Sequence, residues 1–234
     1  MKNAKLLTKG EIAFRRLSVV VLGFTSLIAI LPFILIFMAS ITEEKSLTQY
    51  GYSFFPKQFS LDAYKYLVNQ ISTVGRAYLT SIGLTVVGTV GNMLLTTMFA
   101  YPLSREDFKY RGIFAFILFF TMLFNGGIVP SYMVWTRLLH IKDTYFALLL
   151  PNLLMGAFNV LLVRNYYKSN IPASIVESAQ LDGAGELTIF WKIMLPLSVP
   201  VNVTVGLFAG LAYWNDWTNA LYYIDNTKYY GIQN

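Results

Sequence analysis

AYLTSIGLTVVGTVGNMLLTTMFAYPLS, residues 77–104, runs for 28 positions without an Asp, Glu, Lys or Arg. A helix rises about 1.5 Å per residue, so roughly 20 apolar residues cross a hydrocarbon core of about 30 Å. This stretch is long enough to do so. Four other windows share the property: residues 17–42, 112–136, 144–163 and 193–215. In lipid such a segment must satisfy its own backbone hydrogen bonds, and helix is the economical way to do it. A chain of 234 residues is too short to wrap five buried helices in polar ones. The expected fold class is therefore an all-α polytopic membrane protein.

Composition agrees. Hydrophobic residues make up 56% of the chain and charged residues 13%, against about 45–50% and roughly 25% in soluble domains. Zero cysteines excludes a disulfide framework, a thiolate metal site and a cysteine nucleophile. The single histidine, His140, leaves no imidazole cluster for a metal. It sits near a span end and is read as interfacial. A net charge of +6 fits nucleic acid or an anionic membrane surface, and the positions of the charges decide. With the N-terminus inside, 11 of the 18 Lys and Arg residues fall on inner segments, the bias expected of cytoplasmic loops. No nucleic-acid partner is expected.

This reading divides the chain as follows. A basic cytoplasmic tail covers 1–16, and spans cover 17–42, 77–104, 112–136, 144–163 and 196–215. An outer loop covers 43–76, an inner loop 164–195 and an outer tail 216–234. The first window is longer than the about 7–15 residues of a cleaved leader's apolar region, so it reads as an anchor. The aromatic-rich 43–76 loop carries Ser60 as an N-cap for a short helix from Leu61.

The spans are irregular. Pro32 interrupts the first. Asn125-Gly126-Gly127, followed by Pro130, weakens or kinks the third. Non-helical backbone at depth borders protein or a water-filled cavity, so this span lines a path or partner, or else its helix simply ends near Asn125. Tyr101, Tyr132, Trp135, Tyr145, Trp214 and Trp217 lie near span ends, where they form an aromatic belt or line a ligand path. Asn125, Trp135, Trp214 and Asn215 are candidate substrate contacts on such a path, because aromatic rings offer apolar faces and side-chain amides offer hydrogen bonds.

The inner loop, IPASIVESAQLDGAGELTIFWKIMLP over 171–196, reads as helix, turn, helix. Pro172 suits a first helical turn, Ile175, Val176 and Ala179 form one apolar face, and Asp182-Gly183 signals a turn. Leu187, Phe190, Trp191 and Met194 then follow at i, i+3, i+4 and i+7, and Pro196 opens the fifth span. Glu177, Asp182 and Glu186 are available on the opposite side. Such an element docks in a partner's groove or packs on its own bundle.

Glu177-Ser178-Ala179, three residues, Gly183, nine residues, then Ile193-Met194-Leu195-Pro196 resembles the EAA signature of ABC importer permeases, with Ser178 replacing an alanine. Phe54-Phe55-Pro56, Phe124-Asn125-Gly126-Gly127 through Pro130, and Trp214-Asn215-Asp216-Trp217 look like carbohydrate permeases of the maltose and multiple-sugar class, most of all the complex-polysaccharide and lipo-oligosaccharide branch.

The resemblance implies a type I importer fold in a bacterial cell membrane. It implies a second homologous permease subunit, an ATP-binding-cassette ATPase dimer and an extracellular sugar-binding protein, with lipid around the spans. Glu177, Ser178, Ala179, Asp182, Gly183 and Glu186 become the ATPase-coupling segment. ATP and Mg belong to the ATPases; this chain has no Gly-x4-Gly-Lys-Ser/Thr loop, binds no cofactor and is not an enzyme. The family's sixth span is not found in these 234 residues. The competing expectations are an ion-coupled secondary carrier, against which no mid-span ionisable residue or internal repeat is seen, and an ABC permease for a non-sugar solute.

Overall fold

A computed structural model describes residues 8–234, so Lys2 and Lys5 of the basic tail lie outside the described residues. The chain divides into one unit through Ile71 and a second from Ser72 to Asn234.

In the first unit, α1 (Lys9–Ser40) opens on a capping box in which Thr8 and Glu11 satisfy each other's amides. Those hydrogen bonds hold the Glu11 carboxyl below its ordinary range. None of its most apolar 18-residue window is buried. A helix that is apolar all round and uncovered is built for lipid or a partner rather than water. The helices α2 (Glu44–Tyr50) and α3 (Asp62–Asn69) follow, with a lone antiparallel bridge between Thr42 and Phe59. The Ser60 hydroxyl accepts from the Asp62 amide at 3.0 Å, but Ser60 is not the N-cap expected: that position is Leu61, and α3 begins one residue later than read, at Asp62.

In the second unit, α4 (Ile71–Ser104) is the long spine. Along most of its length it buries small and polar residues, Thr80, Ser81, Gly88, Asn92, Thr96 and Thr97, and it buries large ones, Tyr101 and Leu103, only in its last turn. Small and polar residues let helices approach closely in a membrane, where apolar side chains gain nothing by leaving lipid. Gly88 shows this: a Cβ there would lie 2.4 Å from the Tyr213 ring.

The third window is two pieces, α5 (Arg111–Leu123) and α6 (Ile128–Met133), the latter continuing through a wide π-turn to Leu138. They meet at 113°. The corner is Gly127 at φ 83°, with its amide donated to Asn125 Oδ1 at 2.8 Å.

The fourth window is not the continuous helix expected over 144–163. It consists of α7 (Tyr145–Leu149), a non-helical stretch, and α8 (Ala157–Asn170). Pro151 has no amide to donate, Asn152 sits at φ 62° and Gly156 precedes α8. Three carbonyls in or beside the gap are each taken by a distant side chain. Tyr213 donates to Leu149 at 2.9 Å, Asn219 to Pro151 at 3.0 Å, and Asn92 to Leu153 at 2.6 Å. A gap in an apolar setting survives only with such partners.

Beyond α8 come α9 (Ala173–Leu181) and α10 (Glu186–Ile189), which runs through a π-turn (Phe190–Met194) into α11 (Leu195–Leu197). Next are α12 (Val199–Trp214) and α13 (Thr218–Tyr223). Pro196 does not open the fifth span; it lies within α11, and the chain turns by 84° one residue after α11, at buried Ser198. Proline clashes with the carbonyl four residues back, and the preceding π-turn widens the helix there. Asn202 Nδ2 secures the corner by donating to Ser198 Oγ at 2.9 Å. Residues from α4, α5, α8, α9 and the π-turn of Phe190 form one apolar core with Val201 and Val205 of α12. A smaller core joins α7 and α13 to Tyr132 and Trp135.

Candidate functional site

The helix α9 carries Glu177, Ser178 and Ala179. Pro172 stands at its N-cap, one position before the first turn. Val176 is 4% exposed and packs with Ile171, Phe190 and Met194 in the main core, and Ala179 and Ala184 lie against the same core. Ile175, read as part of this face, is largely exposed instead.

The helix ends in a Schellman turn. The Ala184 amide donates to the Ala179 carbonyl at 2.9 Å and the Gly183 amide to Gln180 at 3.0 Å. Gly183 has φ 82°, a left-handed conformation that costs any L side chain about 1–3 kcal/mol. A Cβ at Gly183 would touch nothing, so backbone conformation alone demands the glycine.

The turn leaves Glu177, Ser178, Asp182 and Gly183 exposed. Between them stands Leu181, 90% exposed at the tip of the hairpin. No periodicity in the sequence singles it out: the core-facing side of α9 runs through Val176 and Ala179, and Leu181 falls on the other side at the helix end.

Glu186 behaves differently from Glu177 and Asp182. Its Oε2 accepts from the Tyr101 hydroxyl at the end of α4, and its Oε1 accepts from Gln180 Nε2 of α9 at 2.9 Å. It thus clasps the hairpin to α4 instead of standing free. In the second arm, Ile189, Phe190 and Met194 are buried whereas Leu187 and Trp191 are exposed. The simple 3.6-residue face fails there because the π-turn inserts extra rotation.

The loop between α4 and α5 frames the hairpin. Arg105 donates to both oxygens of Asp107, at 3.1 and 2.9 Å. That bidentate pair pushes the Arg105 guanidinium up and the Asp107 carboxyl down from their ordinary values. Arg164 Nε ties α8 to the Leu103 carbonyl at 3.1 Å.

The four path candidates do not converge. Asn125 lies at the α5–α6 corner and lines a polar cavity with Ser131, Asn152 and Asn219. Trp135 packs in the small core of α7 and α13. Trp214 closes α12, and Asn215 Nδ2 donates to the Leu211 carbonyl at 2.9 Å as a helix-end contact. His140 is exposed at φ 51°. Among the described residues no group of three or more His, Cys, Asp or Glu side chains is placed to hold a metal.

Comparison with known proteins bears on both regions. The family model described as binding-protein-dependent transport system inner membrane component matches residues 108–226. The chain is 39% identical over 226 residues to Protein LplC of Bacillus subtilis (strain 168), across 97% of this chain and 75% of that one. It is 39% identical over 208 residues to the polygalacturonan/rhamnogalacturonan transport system permease protein YtcP of the same organism, across 89% and 71%. A solved chain from a bacterial ABC transporter involved in the import of the acidic polysaccharide alginate aligns with a TM-score of 0.85 at 32% identity, over 98% of this chain and 81% of that one. The all-α fold, the exposed EAA hairpin and these matches agree: the chain belongs to the family of binding-protein-dependent transport system inner membrane components, the membrane-embedded, non-enzymatic permease subunits of ABC importers that work with an ATPase and a binding protein.

Proposed function

We propose that this permease admits an oligosaccharide and is driven through the hairpin 171–196. The carrying observation is the hairpin itself: a core-anchored helix, a Schellman turn on Gly183, and a fully presented Leu181. Leu181 enters an apolar cleft of an ATPase subunit, where burial contributes about 1.5–3 kcal/mol. Glu177, Ser178 and Asp182 give polar contacts around it, and Ala179 holds the helix to the bundle. Glu186 serves the joint from within, by keeping α9 fixed to α4.

When two ATPases close on ATP, their clefts move together and carry the hairpins with them. Because α9 is packed and hydrogen-bonded to the bundle, that motion rotates helices rather than bending a loop. The pathway then alternates between two states, with the ATPase binding the two differently. A second, homologous permease subunit completes the pathway, and an extracellular sugar-binding protein delivers the solute. The N-terminus and the hairpin lie on the cytoplasmic side, and 43–76 and 216–234 on the outer side. The similarity to YtcP and to the alginate importer supports a carbohydrate as the solute.

The test is ATP-dependent oligosaccharide uptake by the complete complex in proteoliposomes. Uptake that survives a protonophore and is lost in Gly183→Val supports the reading. Uptake that needs an ion gradient and no ATPase overturns it in favour of an ion-coupled carrier.

A further inference from the structure

Two of the charge-free stretches break near their middles, and the breaks meet. Asn125 is next to the centre of 112–136, and Asn152 is next to the centre of 144–163. Both line one cavity of about 210 Å³, together with Ser131, Thr218, Asn219 and Tyr222. Thr218, Asn219 and Tyr222 follow the fifth span, so the cavity stands at the outer end of the spans. Broken backbone there is tolerated because it borders protein and a polar space.

The lining carries no charged residue. Part of its polarity holds the walls together. Asn125 Oδ1 accepts from Gly127, Ser131 Oγ donates to the Gly127 carbonyl, and Asn219 Nδ2 donates to Pro151. The side-chain amide of Asn152, the Thr218 hydroxyl and the Tyr222 hydroxyl make no side-chain hydrogen bond among the described residues, and all three residues line the cavity and are exposed. Asn152 holds φ 62°, and the carbonyls on either side of it, Pro151 and Leu153, are gripped by Asn219 and Asn92. Its amide is thus held on a braced backbone instead of a loose loop.

We propose that this cavity is a subsite for one neutral sugar ring of the imported oligosaccharide. Asn152, Thr218 and the Tyr222 hydroxyl hydrogen-bond its hydroxyls, and the Tyr222 ring flanks it. The subsite rests on the oligosaccharide reading above. Its volume is below the roughly 300–1,000 Å³ of pockets for drug-sized ligands, which suits one ring and not a longer segment. Its chemistry selects against a uronate. Carboxylates are held by Arg or Lys, and the lining offers neither.

The experiment measures uptake by the complete complex of radiolabelled arabinotriose, maltotriose and trigalacturonate, for the wild type, Asn152→Gly and Tyr222→Phe. Glycine accepts φ 62° freely, so the first variant removes the amide without backbone strain. The second removes one hydroxyl and keeps the ring. Each is compared at equal amounts of ATPase-bound complex. The expected result is wild-type uptake of a neutral trisaccharide, falling about five-fold in kcat/KM in each variant, the size of one lost hydrogen bond. Neutral uptake that both variants leave intact overturns the subsite alone. Wild-type uptake of trigalacturonate only overturns its neutral selectivity. Absence of uptake of all three sugars overturns the oligosaccharide reading, and the subsite with it.

Discussion

The helix is interrupted in two places that solve the same problem differently. At Asp182–Ala184 the chain turns on one left-handed glycine, and the freed carbonyls of Ala179 and Gln180 are taken by amides five and three residues away. Between α7 and α8 the freed carbonyls of Leu149, Pro151 and Leu153 are taken by Tyr213, Asn219 and Asn92, which lie 64, 68 and 61 positions away. The first interruption is local and complete in itself. The second exists only when α4, α12 and α13 are in place. A self-contained turn suits a hairpin that must leave the bundle surface as a rigid knob. A turn held by three other helices suits the inside, where the break is tied to the packing of the whole unit.

The comparison is broken most severely at Gly183. Gly183→Val should abolish ATPase co-purification and uptake while membrane insertion, read by protease accessibility of tagged termini, stays normal. Gly183→Asn should retain much of both, since asparagine tolerates the left-handed region. Equal losses in the two variants would show that backbone conformation is not what the position requires.

Next in size is Gly88→Val. Its Cβ would meet the Tyr213 ring at 2.4 Å and drive it off the Leu149 carbonyl. Overpacking of this kind costs about 1–3 kcal/mol, and the lost cap adds to it. The thermal midpoint of the purified complex should fall further than in Tyr213→Phe, which loses only the hydrogen bond.

Asn92→Leu leaves the Leu153 carbonyl without its partner. An orphaned buried acceptor costs roughly 1–3 kcal/mol. The expected signature is faster hydrogen exchange across 150–156, with the 182–184 turn unaffected. If both regions loosen together, the two interruptions are not independent.

A smaller effect is expected from Tyr101→Phe, which removes one of the two hydrogen bonds on Glu186. Uptake should fall a few-fold with ATPase binding retained, because the hairpin still docks but transmits motion less rigidly. Loss of binding would instead make Glu186 a direct ATPase contact.

The smallest concerns Asp143. Its carboxylate accepts from the Asp225 and Asn226 amides at 2.7 and 2.9 Å, and those bonds hold its pKa down. A lowered folded value means the carboxylate adds stability above the unfolded pKa of about 3.9 and loses it as pH falls through the folded value. Asp143→Asn should therefore behave like the wild type in strong acid and be slightly less stable near neutrality, as followed by the thermal midpoint against pH.

Much of this was readable in advance where the cause is local. Charge-free length reveals membrane segments because a bilayer admits little else. Asp182-Gly183 and Asn125-Gly126-Gly127 announce turns because glycine is the residue that tolerates positive φ. Pro151, Asn152 and Gly156 carried a signal of the same kind, yet within a window of 20 uncharged residues it was outweighed by length. The face predicted for Leu187, Phe190, Trp191 and Met194 failed because a π-turn is set by the proline two positions beyond it. The clasp on Glu186 was invisible, since Tyr101 is 85 residues away.

By itself, then, the sequence determined the solvent, the helical class and the helix–turn–helix of 171–196, all of which follow from short-range backbone chemistry and from the cost of charge in lipid. Tertiary structure alone decided which polar residues close the broken fourth segment, that Asn125 and Asn152 share a cavity, and that Glu186 is tied to Tyr101. These depend on side chains meeting across helices, and a hydrogen bond between distant residues leaves no periodic trace in either partner's neighbourhood.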